Sequence, residues 1–226
     1  MMGGNIVVMV IVLLFSVVFH EVAHGWVAYI LGDKTAYKMG RLTLNPIPHI
    51  DPFMTILMPL MLGFMTGWRV MFGGAKPVPV NPFNFNNPKK GMAIVAAAGP
   101  LSNLLLIIVV IVLFRTMTAT GFIDRLDVVR RFNRFDLNII DTFFVYSIVI
   151  NSVLMAFNLI PIPPLDGSKI IMGFLSNRQA DKYESFSRYG LFALIGLILL
   201  GSLTGFSIIG VFIYPFINFF LNALLW

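Results

Sequence analysis

The chain is expected to be an all-α polytopic membrane protein. The expected parts are a three-helix core, a C-terminal helical hairpin, a re-entrant segment and short β-like extended loops. Three observations lead to this. Of 226 residues, 58% are hydrophobic and only 12% are charged, whereas a soluble domain carries about 25% charged residues. The mean hydropathy is +0.88. Apolar runs near the length of a membrane span recur along the whole chain, and the sixteen Lys and Arg residues lie in the loops between them. Residues 1–226 read as one integral-membrane domain, with room for five or six spans and none for a separate soluble domain.

The net charge of +6 does not point to nucleic acid. Basic residues between spans set orientation and meet lipid head groups, and no basic stripe is interleaved with aromatics. Cysteine is absent, so any metal would be held by nitrogen and oxygen.

The first run, 5–31, exceeds the roughly 20 apolar residues that a span needs. It lacks a basic leader and is too long for a signal peptide. Its charge-bearing side chains are His20, Glu21 and His24. Gly32-Asp33 ends it. The alternation in 35–45, with Arg41-Leu42-Thr43-Leu44, is a weak strand signal. Residues 53–66 form a short apolar run broken by Pro59 and Gly63 and followed by Gly67, Gly73 and Gly74, so 52–75 reads as re-entrant. Lys76-Pro77-Val78-Pro79-Val80-Asn81-Pro82 is extended, because proline fixes φ and restricts its predecessor.

Residues 91–114 form the second core span and contain Gly99-Pro100 and Asn103. Gly99-Pro100 permits close packing and a kink, or serves substrate. Arg130, Arg131 and Arg134 then read as an interfacial anchor. The third core span, 138–159, ends in a proline-rich break that delivers Asp166 to the next helical stretch. Runs 187–203 and 207–225, joined at Thr204-Gly205, make the hairpin spanning 187–225.

Charge counting supports a non-crossing 53–66. With the N-terminus outside, loops 32–51, 67–90 and 166–188 are cytoplasmic and carry three, four and four Lys/Arg. Loop 115–136, outside, carries five. That bias satisfies the positive-inside rule, whereas a crossing at 53–66 would erase it.

His20-Glu21-Val22-Ala23-His24 is a metalloprotease signature when it is helical. On a helix, residues four apart share a face, so His20 and His24 can hold one metal. Glu21, displaced by about 100°, reaches a metal-activated water without being a ligand and acts as general base. Ionisable groups at membrane depth mark function, and the eleven residues from His20 to Leu31 put His20 roughly 16 Å from the span's exit. Catalytic zinc takes three protein ligands, and the third must be His49 or a carboxylate. The other acidic residues lie in loops or at span edges, which leaves Asp166. Asp166 could also cap the following helix. His49, between prolines, reads as a polar group near the mouth. Asp166 shares a side with the His pair only if 53–66 does not cross.

These residues resemble the site-2 protease family of intramembrane zinc metalloproteases. The likeness rests on His20 to His24, Gly99-Pro100-Leu101-Ser102-Asn103, and the Asn158-to-Gly167 segment with Leu165-Asp166-Gly167. Arg41 to Pro46 and Lys76 to Pro82 extend it over most of 5–180. The resemblance implies one Zn2+ on His20, His24 and Asp166, with Glu21 as base. It implies substrate contacts by Asn158 and Asn103, although structural hydrogen bonding explains Asn103 equally well. It also implies a three-helix core matching 5–31, 91–114 and 138–159, here without the PDZ or CBS domain that many members carry.

The expected function is hydrolysis of peptide bonds in transmembrane protein substrates within the lipid bilayer of a prokaryotic plasma membrane, nearer the cytoplasmic side. Segment 52–82 offers an extended edge for substrate strand addition. The alternative is a metal transporter or a zinc-binding membrane protein that does not cut.

Overall fold

A computed structural model describes residues 2–66, 73–205 and 207–226. Among them, five helices are long and apolar enough to cross a membrane. The first is α1 (Met2–Ile30), closed by Gly32 at φ 107°, a left-handed conformation that glycine adopts without strain.

Residues 35–45 differ from expectation. Thr35–Lys38 form one helical turn, α2, and no strand occurs among the described residues. Local bonding outweighs the alternation. The Asp33 carboxylate accepts from Thr35 N–H at 3.1 Å and from Thr35 Oγ at 2.5 Å, which starts a turn instead of an extended run.

Segment 52–75 begins as a π-helical stretch, Pro52–Leu57, and continues as α3 (Met58–Thr66). Its 67–72 part lies outside the described residues. The two ends of the segment meet. Thr55 Oγ1 donates to Gly74 O at 2.7 Å, and Lys76 N–H donates to His49 O at 2.8 Å.

Helix α4 (Pro88–Ala119) starts on an Asn87 cap with Pro88 in its first turn. After it come α5 (Arg125–Asn133) and α6 (Ile139–Asn158), the latter opened by a reciprocal Asn138–Asp141 capping box. Helix α7 (Asp166–Phe174) follows the proline-rich loop. Helices α8 (Asn177–Thr204) and α9 (Ile208–Leu225) form the hairpin, turning at Gly205 with φ 73°. Helix α8 starts ten residues before the expected span, because Ser176 and Gln179 cap it within a polar stretch. Its apolar run marks only the part long enough to meet lipid.

Helices α1, α4 and α6 pack together in the centre. Contacts fix their directions. Ser16 and His24 of α1 meet Asn103 and Val95 of α4, so these two helices are antiparallel. Asn5 reaches Leu137, and Ser16 reaches Asn151, so α1 and α6 run parallel. The connection 31–87 therefore starts and finishes at one end of the bundle. At the far end, Phe114, Val128, Phe144, Ile148 and Leu224 form an apolar core. There Arg131 pairs with the buried Asp141. The Asp141 carboxylate pushes the Arg131 pKa up, and this outweighs the opposing effect of burial.

Candidate metal centre

The site is assembled where three chain segments meet. His20 and His24 lie on one face of α1, about 15 Å and about 9 Å before Ile30 at about 1.5 Å per residue. Helix α4 crosses them at Gly99. A Cβ on that residue would lie 2.5 Å from both His20 Cε1 and His24 Cε1, so only glycine lets the helices approach this closely. Of the two readings for Gly99-Pro100, close packing is what Gly99 does here.

The third segment is the loop 159–165, which ends α6 and turns back into α7. Ile160 and Leu165 bury themselves against Leu194 of α8 and anchor the loop. Gly167 packs onto the Leu159 carbonyl group, where a Cβ would lie 2.5 Å from its carbon. Asp166 occupies the first position of α7. It is not that helix's N-cap; Leu165 is, without a side-chain capping bond. The Asp166 carboxylate turns instead to the imidazoles.

His20 Nε2 lies 3.1 Å and His24 Nε2 3.2 Å from Asp166 Oδ2. The ligand atoms of all three residues lie within 4.8 Å of one another, and all three residues are buried. His20 Nδ1 faces Asn103 Oδ1 at 2.6 Å, and His24 Nδ1 faces Val95 O at 2.7 Å. Each Nδ1 therefore carries the hydrogen, and each Nε2 turns a lone pair inward. With both rings neutral, two imidazole lone pairs and a carboxylate oxygen converge on one point. One cation satisfies all three at once. The 3.1 and 3.2 Å separations approach the roughly 3.3 Å edge of a tetrahedron with bonds of about 2.0–2.1 Å. The N,N,O set fits zinc and leaves a fourth position for reacting groups.

Glu21 is half-buried beside this cluster and is not part of it. Its Oε2 accepts the Val78 N–H at 3.0 Å. Asn103 is fully buried behind His20, not at an open surface. Its Nδ2 donates to Asn151 Oδ1 at 2.8 Å, and Asn151 Nδ2 donates to Ser16 Oγ at 2.9 Å. This connected network joins the Asn103 amide to His20, Asn151 and Ser16. Asn158, half-buried at the end of α6, donates to Leu154 O at 2.9 Å. His49 is buried with Nε2 at 3.0 Å from Thr43 O, and it stands outside the ligand group.

Sequence reasoning passed over Ser16, Asn151 and the Val78 amide. Ser16 precedes His20 by four residues and so shares its helix face. Asn151 is an amide near the middle of a span, which needs a partner. Those were the available signals. A main-chain donor leaves none.

Comparison with known proteins agrees with this geometry. The profile of Peptidase family M50 matches residues 8–201. "Putative zinc metalloprotease YwhC" of Bacillus subtilis (strain 168) is 41% identical over 191 residues, covering 84% of this chain and 80% of that protein. "Putative zinc metalloprotease Rip2" of Mycolicibacterium smegmatis is 29% identical over 102 residues, covering 45% of this chain and 38% of its own length. No solved structure matches.

Proposed function

The chain belongs to Peptidase family M50 and is an intramembrane zinc metalloprotease; from that premise we propose that it cuts transmembrane protein substrates, with Glu21 as general base and His20, His24 and Asp166 as the metal ligands. The observation that carries this assignment is the buried convergence of those three side chains on one point, with the Glu21 carboxylate beside them.

Zinc held there supplies Lewis-acid chemistry, acidifying water and polarising a carbonyl. The remaining work falls to the chain. Glu21 takes the proton of the attacking water and returns it to the leaving amine. Asn103 holds His20 in the tautomer that turns Nε2 inward, and Val95 O does the same for His24. In this reading the Asn158 amide contacts the substrate backbone or stabilises a developing oxyanion. A peptide bond inside a substrate helix is hydrogen-bonded and shielded, so the substrate unwinds locally before it is cut.

We read residues 1–226 as a single catalytic domain and 52–75 as re-entrant. The meeting of residues 49–55 with 74–76, and the shared end of 31–87, support this reading. Among the described residues, the loops at the end of the bundle nearer the metal centre then carry ten Lys and Arg, which supports a site nearer the cytoplasmic face of a bacterial plasma membrane.

The test is zinc content measured alongside cleavage of a synthetic membrane-spanning peptide. Glu21→Gln is expected to keep one zinc and lose about 10²–10⁴-fold in rate. His20→Ala and Asp166→Ala are expected to lose the metal. Cleavage by Glu21→Gln at the parent rate removes Glu21 from the mechanism. Zinc flux through liposomes without cleavage would replace the protease by a transporter.

A further inference from the structure

We propose that the main-chain N–H of Val78 is a positioning group for Glu21, and that the Lys76-to-Asn81 segment is built to aim it. The proposal rests on Glu21 being the general base. Pro77, Pro79 and Pro82 have no N–H and fix their own φ, and they hold Lys76, Val78 and Asn81 extended. In extended backbone, alternate residues turn their amides to opposite edges. The edge of Pro77 and Pro79 thus has no donor, while Lys76 and Val78 point theirs to the other edge.

That second edge faces the enzyme's own groups. Lys76 N–H donates to His49 O at 2.8 Å. The buried Arg41 guanidinium donates to Lys76 O at 2.7 Å and reaches Pro77 O at 3.4 Å. Val78 N–H then meets Glu21 Oε2 at 3.0 Å. Beyond it, Asn81 N–H donates to Asp33 Oδ2 at 2.7 Å, and Asn84 Nδ2 donates to Asp33 Oδ1 at 2.6 Å. The donor is therefore fixed from both sides, two residues after one anchor and three before the other.

Gly25 lies one turn after Glu21 on the same face of α1, where a Cβ would stand 2.4 Å from Leu42 Cδ2 and 3.0 Å from Val78 Cγ1, so its lack of a side chain leaves room for both. A glutamate side chain left free samples several rotamers. A charge-assisted bond to one carboxylate oxygen holds the other at the reacting centre. A substrate strand cannot form a two-way ladder along the Pro77/Pro79 edge, which offers carbonyls alone. The extended segment is thus a brace for the base, and less an edge for strand addition than its sequence implies.

The experiment uses the full-length, zinc-loaded protein in detergent and a synthetic membrane-spanning peptide. Val78→Pro deletes the N–H while keeping the backbone extended. We expect kcat to fall about 10–100-fold, with zinc per chain and KM unchanged. Val78→Ala restores the N–H and should recover most of that loss. In a Glu21→Gln background, single-turnover rates should show less than about a threefold further effect of Val78→Pro, because there is no carboxylate left to aim. Equal losses in both backgrounds, loss of zinc together with kcat, or an undiminished kcat would each overturn the proposal. If Val78→Pro does not fold, Arg41→Gln releases the same segment and should lower kcat with zinc retained, with Arg41→Lys rescuing in part; an unaltered kcat in Arg41→Gln is then the overturning result. If Glu21→Gln itself cleaves at the parent rate, the general-base reading fails, whatever the Val78 variants do.

Discussion

Replacing Gly99 by alanine adds a single methyl group where α4 touches both imidazoles. That methyl carbon would stand 2.5 Å from His20 Cε1 and 2.5 Å from His24 Cε1. Carbon atoms rest at about 3.5–4.0 Å, so the rings or the two helices must separate by about 1 Å. Overpacking of this kind costs about 1–3 kcal/mol. Alanine recovers about 1 kcal/mol of helix propensity, so the fold loses only about 0–2 kcal/mol. The metal centre is far less tolerant, since metal–ligand distances hold within about 0.2 Å. Displacing the ligands by about 1 Å should therefore cut zinc affinity by at least about 100-fold while the helices survive. A chelator-competition titration in detergent reads the affinity, and circular dichroism reads the fold. A folded Gly99→Ala protein that binds zinc as tightly as the parent would refute the packing argument. Unfolding of the variant would refute the energy balance.

Further outcomes follow from the same contacts. Asp33 is fully buried. Burial pushes its pKa up, but the bonds from Thr35, Asn81 and Asn84 outweigh this and hold it below the usual carboxylate range. A depressed folded pKa contributes stability that is full above the unfolded value and is lost as pH falls through the folded one. Asp33→Asn should thus lower stability at pH 7, with the difference from the parent shrinking toward pH 3 and below in thermal unfolding. At the far end, Arg131→Leu leaves the Asp141 carboxylate buried and unpaired. It should cost about 1–3 kcal/mol, since the Arg131 side chain is a third exposed and Asp141 keeps its bond from Asn138 N–H; denaturant unfolding in detergent measures this, with zinc content unchanged because the pair is remote from the metal centre. Removing zinc with a chelator should abolish cleavage, and adding zinc back should restore it.

Much of this protein follows from local chemistry. A run of twenty apolar residues cannot leave its backbone unpaired in lipid, so it is helical wherever it falls. The i, i+4 spacing then puts His20 and His24 on one face with no help from the rest of the fold. The absence of cysteine and the placement of the other carboxylates single out Asp166. What runs along one segment was therefore legible, including the proline-rich break before Asp166 and the extended backbone of 76–81, although Pro82 opens a 3-10 turn, Pro82–Asn84.

Contacts between segments were not legible, because a span surrounded by lipid and by other spans is apolar on every side. The periodicity that marks the inward face of a soluble helix is erased. Nothing in the run 91–114 says that Gly99 faces both imidazoles, or that Asn103 bonds His20 Nδ1. Those roles depend on the level at which α4 crosses α1, which side-chain packing sets across some eighty residues of intervening chain. The bond from Val78 to Glu21 is more remote still. It is made by a backbone amide that every residue except proline possesses, and only the folded arrangement of Arg41, Asp33 and three prolines gives it a direction.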